Sequence, residues 1–222
     1  KLLGLQEVTS YNVVAYAINS KGEVVSEPVV FTTEANDEVI EYEYVDLGLP
    51  SGVKWAMHNV GTTYPEGHGD HFAWGEIEPK ATYESGNCSS NYQDLGDISG
   101  NPLYDAAAAK WGNGWRMPTL EEMYELTQEC TWTWVEDNGI VGYKVTSKTN
   151  GNHIFLPAAG FRVNDQLLDK DFFGYYWMST PYEEEGAEPT LNKACFLDMC
   201  SYQFYCNWSL RRNGMTIRPV KD

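Results

Sequence analysis

The feature that most constrains the fold is a series of short alternating runs separated by turn residues. In "GYKVTSKTNGNHIFLPAAGFR", an Asn-Gly pair at positions 150 and 151 lies between two such runs. Alternation of apolar and polar residues indicates half-buried strands, and Asn-Gly favours a tight hairpin turn. The runs "YYWMST", "KACFLDMC" and "MTIRPV" have the same character. We therefore predict a set of antiparallel strands over this part of the chain.

Two helices are predicted before these strands. The segment "PLYDAAAAKWG" is rich in alanine and stops at Gly112. The segment "PTLEEMYELTQEC" places Thr119 three residues before Glu122, which is the spacing of a capping box. For the second helix we predict a buried stripe with these members: Leu120, Met123, Tyr124 and Thr127. Trp111 and Trp115 are predicted to fill the core, and Arg116 and Arg162 to pair with carboxylates.

Charge and cysteine content narrow the function classes. The chain has 15 Lys and Arg against 32 Asp and Glu, a formal charge of −17, which argues against nucleic acid or an anionic membrane surface as partner. No apolar run approaches the roughly 20 residues that span a bilayer, so we expect no direct membrane insertion of this segment. Five cysteines without zinc-type spacings predict no structural metal. The 8 Trp, 15 Tyr and 20 Gly are typical of an extracellular binding domain.

Several motifs carry a family resemblance. The stretches "VDLGLPSGVKWAMHNVG", "HFAWGEIEPK", "WGNGWRMPTLEEMYEL", "GYYWMSTP" and "MTIRPV" occur in this order between residues 45 and 220. Together with the Asn-Gly segment they resemble the Fibrobacter succinogenes major paralogous domain of bacterial surface proteins. The resemblance implies an α+β, C-type lectin-like fold with two helices and a short-stranded antiparallel sheet. That fold is similar to formylglycine-generating enzymes and to retroelement-diversified variable proteins that bind ligands.

The beginning of the chain has a different character. Apolar residues alternate through "YNVVAYAINSKGEVVSEPVVFTTE", with a polar turn at Asn19 to Gly22, which predicts two strands and a hairpin. This segment resembles the last strands of a fibronectin type III domain. An acidic stretch follows it, and we place the domain boundary near residue 36. The expected organisation is a β-hairpin remnant of a fibronectin type III sandwich over residues 1–35 and the paralogous domain over residues 36–222.

The stretch "CFLDMCSYQFYCNWSLRRNG", residues 195–214, is the candidate binding region. Alternation places Phe196 on one side of a strand and Cys195 and Leu197 on the other, and we expect this periodicity to be lost beyond Cys200. The resemblance places the segment in the last hairpin, on the binding face of ligand-binding relatives. Aromatic rings mixed with amides and Arg are usual in recognition loops. The predicted ligand contacts are Asp198, Tyr202, Gln203, Tyr205, Asn207, Trp208, Ser209, Arg212 and Tyr182, with Asp198 and Tyr182 at the rim.

These residues favour recognition without catalysis. We expect a cell-surface or extracellular bacterial module that binds a glycan or a protein, with no cofactor and no metal; the oligomeric state stays open. A structural adhesin or stalk domain without a small ligand is the alternative.

Other interpretations of the same residues remain open. Resemblance to formylglycine-generating enzymes suggests Cys200 and Cys206 as a redox or copper-binding thiol pair, and a disulfide that fixes the loop would be a plainer role for them. Calcium would require the triplet Glu188-Pro189-Thr190, in which Thr is a poor ligand. His68, Asp70 and His71 lie close together in sequence but lack an identifiable third ligand for a transition metal.

Overall fold

The structure is a computed structural model of the 222-residue chain, and it describes residues 9–33, 41–183 and 191–222. The chain divides into two compact units, Lys1–Glu41 and Tyr42–Asp222. The boundary predicted near residue 36 lies outside the described residues.

The first unit contains two separate pairs of antiparallel strands. Strand β1 (Ser10–Val13) pairs with β4 (Val29–Thr32), and β2 (Tyr16–Asn19) pairs with β3 (Gly22–Val25). The predicted hairpin is thereby confirmed, although the described part of the unit has four strands where two were expected. Two-stranded ladders bury little surface. Accordingly Tyr16 is 68% exposed and Val24 73%. The resemblance to fibronectin type III domains stays a prediction.

The second unit is built from short strands with two helices and a 3₁₀ turn (Ser85–Asn87). Its elements, in chain order, are β5 (Tyr44–Val45), β6 (Lys54–Ala56), α1 (Ala106–Trp111), α2 (Leu120–Glu129), β7 (Cys130–Asp137), β8 (Ile140–Ser147), β9 (His153–Pro157), β10 (Phe161–Val163), β11 (Gln166–Leu168), β12 (Phe173–Pro181), β13 (Lys193–Cys200), β14 (Gln203–Leu210) and β15 (Val220–Lys221). They form the sheets β15-β6-β5, β7-β8-β9 and β12-β13-β14 and the ribbon β10-β11.

The predicted α+β, C-type lectin-like fold class is wrong. Strand accounts for 41% of the structure and helix for 10%, in several small antiparallel sheets that do not close into a barrel. The physical reason is that both helices are short. Helix α1 ends after six residues, at the left-handed Gly112, and α2 ends after ten, where its sequence runs directly into the β-favouring segment "CTWTWV" of β7.

Local predictions for the helices and the hairpin are largely confirmed. Thr119 and Glu122 form the capping box of α2, with each side chain bonded to the other residue's backbone N–H. Strands β8 and β9 pair across the Asn-Gly turn. The stripe of α2 is partly wrong, because Met123 and Leu126 are its buried residues while Tyr124 is 50% exposed.

The sheet β12-β13-β14 lies between two apolar clusters. On one side α2 and the sheet β7-β8-β9 contribute to a cluster that includes Tyr176, Leu197 and Met199. On the other side Trp177 and Phe196 pack in a cluster that also contains the following tryptophans: Trp74, Trp111 and Trp115. The core positions predicted for Trp111 and Trp115 are confirmed. Because β13 packs against both clusters, its position is fixed, and the candidate site is built on this strand.

Buried arginines join distant segments of this unit. Arg218 is fully buried and donates to the carbonyl oxygens of Ala56, Met57 and Phe155. The predicted carboxylate pairing of Arg116 is confirmed, with its Nη2 2.6 Å from Glu122 Oε1. In the described part of the chain, Arg162 shows no such ion pair.

Candidate functional site: a cleft beside the C-terminal hairpin

The candidate region forms a regular hairpin. Strands β13 and β14 pair over eight positions, from Lys193↔Leu210 to Cys200↔Gln203, around the two-residue turn Ser201-Tyr202. The expected loss of periodicity beyond Cys200 is therefore wrong. The sequence held a signal for this, because Phe204, Cys206 and Trp208 alternate with polar residues along β14.

The register sorts the candidate residues onto two faces of the sheet. The face that carries Cys195, Cys206 and Trp208 is called the cleft face. The other, called the opposite face, carries Asp198, Tyr205, Asn207, Ser209 and Gln203. Side chains of a strand alternate between faces, so a small ligand in contact with Trp208 cannot also lie over Tyr205. The predicted set is thus not brought together into one site.

A cleft opens on the cleft face. It has a volume of about 490 Å³. It is lined by Gly96, Asp97, Leu120, Tyr124, Thr180, Pro181, Tyr182, Glu183, Cys195, Cys206, Asn207 and Trp208. Helix α2, the end of β12, the hairpin and the segment before Ile98 all contribute to it. Small-molecule sites are commonly concave surfaces of about this size, with apolar walls and a few oriented polar groups.

Aromatic rings form one wall of the cleft. Trp208 is 41% exposed, and its ring centroid lies 5.3 Å from that of Tyr182, with the planes inclined at 32°. Lys193 Nζ lies 3.6 Å from the Trp208 centroid, a cation–π contact that orients the indole. Tyr124 extends from the first turns of α2, one turn after Leu120. Half-exposed rings that are held in place by neighbours offer flat apolar surface at little further entropic cost.

Polar groups of the cleft are oriented by a hydrogen-bond chain. The backbone N–H of Leu120, in the first turn of α2, donates to Thr180 Oγ1 at 3.0 Å. The Thr180 hydroxyl donates to Asp97 Oδ2 at 2.8 Å. Asp97 Oδ1 accepts from the Ser99 N–H at 2.9 Å. The exposed Asp97 carboxylate is therefore fixed in direction and retains acceptor capacity toward the cleft.

The two thiols of the cleft are unreactive by environment. Burial raises the pKa of Cys195 to about 11 and that of Cys206 to about 12, so both are protonated at neutral pH. All five cysteines lie in the described ranges and none is in a disulfide. The suggested pair Cys200 and Cys206 falls on opposite faces of the sheet, because Cys206 pairs with Leu197, three residues before Cys200. That offset is about 10 Å along a strand, too far for a bridge.

Asp198 dominates the opposite face. It pairs with Tyr175 of β12 and Tyr205 of β14 across the sheet. Burial raises its pKa, and hydrogen bonds with the side chains of Tyr205 and Asn207 partly offset the rise. Asn207 also borders the cleft, but its amide oxygen accepts from the Trp208 N–H at 2.8 Å. The two residues predicted at the rim of one site are therefore separated: Asp198 lies on the opposite face, and Tyr182 lies at the cleft.

The remaining candidates lie away from the cleft. Tyr202 is 76% exposed at the hairpin turn, six residues from Trp208, which corresponds to about 20 Å along a strand. Gln203 lies at the same end. Ser209 accepts a hydrogen bond from Asn213, and Arg212 lies in the turn after β14.

The sequence prediction misses most of the residues that line the cleft, among them Asp97, Tyr124 and Thr180, and it also misses Lys193 beside Trp208. Tyr124 is predicted in the buried stripe of α2, and its position one turn after Leu120 was the available signal. Asp97 and Thr180 lie 83 residues apart and meet through the tertiary structure, so no local pattern joins them.

No family model, curated protein or solved structure matches this chain. The family resemblance therefore stays a prediction. The structure contributes two further observations, both limited to the described ranges. No helix there is long and apolar enough to cross a bilayer. No group of three or more His, Cys, Asp and Glu side chains is placed to hold a metal ion.

The two metal hypotheses from the sequence fare differently. The calcium triplet Glu188-Pro189-Thr190 lies outside the described residues. In the histidine segment, His71 Nε2 lies 3.2 Å from the Ala159 carbonyl, while His68 Nε2 lies 3.6 Å from Asp171. The His71 ring therefore has a carbonyl partner of its own, whereas the buried Nε2 of His68 has no hydrogen-bond partner among the described residues.

Proposed function

We propose that this chain is a non-catalytic recognition module that binds an extracellular glycan in the cleft of the C-terminal hairpin. The observation that carries the proposal is the combination of half-exposed rings and an oriented carboxylate. Trp208 and Tyr182 form an inclined aromatic wall, and Asp97 is held by Thr180 in the same cleft. A sugar ring presents an apolar face for stacking and hydroxyls at its edge for hydrogen bonds.

Other features of the cleft favour a polyhydroxylated ligand over an apolar one. Asp97 and Glu183 supply acceptors, and the Lys193 ammonium at the Trp208 ring supplies donors. The protonated thiols of Cys195 and Cys206 provide a soft, chemically inert floor. A site with these properties binds and orients a ligand without a nucleophile or an activated base.

The proposal also includes the family of this chain and its location at the bacterial surface. The motifs between residues 45 and 220 support membership of the Fibrobacter succinogenes major paralogous domain and hence an exported protein at the bacterial surface. A glycan ligand suits that location. The alternative, a stalk domain without a small ligand, predicts no saturable binding at the cleft.

The test is a glycan array followed by calorimetry on the best ligand, with Asp97→Asn and Asp169→Asn compared. Asn keeps one acceptor oxygen, for Thr180, and loses the acceptor for the Ser99 N–H together with the charge, so we expect Asp97→Asn to weaken binding by about tenfold, or 1.4 kcal/mol. Asp169 is a matched control, because this exposed carboxylate accepts from Tyr175 on the opposite face. Equal affinity of the two variants would place the ligand elsewhere, and the absence of any array signal would favour the stalk domain.

A further inference from the structure

Strand β14 is an edge strand without the usual protection. It pairs with β13 on one side and is the last strand of its sheet. Natural edge strands are commonly guarded by Lys, Pro, a bulge or short length. The sequence "QFYCNWSL" contains no charge, Pro or Gly, and its eight pairs run without a bulge. This edge therefore offers an uninterrupted template for another strand.

The hairpin turn fixes which backbone groups face outward. In a two-residue hairpin, the closing pair Cys200↔Gln203 is hydrogen-bonded, and such pairs alternate along the ladder. The amides and carbonyls of Phe204, Cys206 and Trp208 consequently point away from β13. Asn207 Oδ1 accepts from the Trp208 N–H. Within the described ranges, the outward groups of Phe204 and Cys206 have no backbone partner.

Charge indicates the kind of strand that fits this edge. Asp198 lies on the opposite face and forms no ion pair within the described ranges, while the carboxylates of Asp97 and Glu183 in the cleft are offset by Lys193 beside Trp208, so the opposite face is the one that attracts a cation. A second copy of the chain would bring another formal charge of −17 to the same edge. Mutual repulsion disfavours that pairing, whereas a cationic segment is attracted.

Aromatic side chains on the two faces add to this preference. Tyr205 is 42% exposed on the opposite face and Trp208 41% on the cleft face. Alternate side chains of an added strand would lie over one or the other. Lys or Arg can make a cation–π contact with Tyr205, whereas Lys193 already occupies the Trp208 ring, so an apolar side chain fits there. An added strand, unlike a small ligand in the cleft, touches both faces of β14.

We propose that the outer edge of β14 binds an extended, cationic peptide segment as a fourth strand of the sheet β12-β13-β14. Main-chain hydrogen bonds at Phe204 and Cys206 supply the binding, and Asp198 and Tyr205 on the opposite face select positive side chains. This site borders the glycan cleft at Trp208 but uses backbone groups that the cleft does not. Each can fail without the other.

The experiment uses an octapeptide of alternating Lys and Val, blocked at both ends, titrated into the isotopically labelled full chain. Its matched control carries an N-methyl group on every residue, which removes the N–H donors from both edges of the peptide strand and leaves the charge unchanged. We expect saturable amide shifts centred on residues 203–210, and affinity at least about tenfold lower for the methylated peptide. Equal affinity of the two peptides, or no binding at millimolar concentration, overturns the proposal.

A variant separates the two sites. Pro is tolerated in edge strands where the N–H faces outward, so Phe204→Pro keeps the ladder with β13 and removes an outward donor at a residue that does not line the cleft. We expect it to weaken peptide binding by about tenfold, while the glycan affinity changes less than the peptide affinity. Sedimentation of the wild-type chain as a dimer that the peptide cannot dissociate would assign the edge to a second copy and overturn the proposal. If this variant fails to fold, the comparison of the two peptides on the wild-type chain still supports or overturns the proposal.

Discussion

The two outer strands of one three-stranded sheet, β12 and β14, use the same kind of side chain for different purposes. Trp177 of β12 is fully buried, and its indole N–H donates to the Phe72 carbonyl at 2.9 Å. Trp208 of β14 is 41% exposed beside the cleft. The two rings differ in exposure because of their positions. Strand β12 has an apolar cluster on each face, whereas the part of β14 that carries Trp208 borders the cleft. Aromatic content therefore indicates neither stability nor recognition until the place in the sheet is known.

The largest expected difference between Trp177 and Trp208 appears when each ring is removed in turn. We expect Trp177→Ala to lower the free energy of unfolding by about 3–5 kcal/mol, since it leaves a cavity and removes one of the two hydrogen bonds that the Phe72 carbonyl accepts. Trp208→Ala should cost less than about 1 kcal/mol, because its ring is already half in water. Urea unfolding followed by circular dichroism measures both. Equal losses would mean that the Trp208 ring is a core residue.

Acid sensitivity tests a buried histidine that lies outside this sheet. Burial lowers the pKa of His71 to about 4, and its neutral ring contacts the Ala159 carbonyl. The unfolded chain, with a pKa near 6.5, binds the proton first, so stability falls as the pH drops from about 6.5 to 4. The loss approaches about 3 kcal/mol.

The matched variant is His71→Gln, which keeps a donor for Ala159 without titrating in this range. Unfolding free energies at pH 7, 5.5 and 4 should fall more steeply for the wild-type chain than for the variant. Parallel pH profiles would contradict a buried, neutral His71.

The next prediction concerns the labelling rates of the two cleft thiols, Cys195 and Cys206. Because the pKa of Cys206 is raised to about 12 and that of Cys195 to about 11, their thiolates are scarce at pH 8. We expect a disulfide reagent to label either thiol at least about 100-fold more slowly in the folded chain than in urea. Peptide mapping of the labelled sites measures this. Fast labelling of Cys206 in the folded chain would instead indicate an activated thiol.

The sequence was informative where structure depends on neighbouring residues. The capping box of α2 and the β8–β9 hairpin follow from residues within one turn or one loop, and both are predicted correctly. The alternation of apolar and polar residues along β14 also indicates that the candidate residues lie on two faces of the sheet. With that period applied beyond Cys200, the sequence alone separates Tyr205 from Trp208.

Long-range contacts explain what could not be predicted. Arg211 donates to the carbonyls of Ser90, Gln93 and Lys193, and backbone acceptors of this kind leave no complementary charge in the sequence. The cleft likewise depends on Asp97 meeting Thr180 across 83 residues. The predicted fold class is wrong for a related reason, since it gives two helical patterns more weight than the many short strands around them.

The most direct test of the account is to measure glycan affinity and unfolding free energy together for Trp208→Ala, with Tyr202→Ala as control. Tyr202 is the more exposed ring and lies at the far end of the same hairpin. The account predicts that Trp208→Ala loses at least about tenfold in affinity with less than about 1 kcal/mol of stability, while Tyr202→Ala changes neither. Unchanged affinity for Trp208→Ala, or an equal loss for Tyr202→Ala, would contradict a glycan site in the cleft.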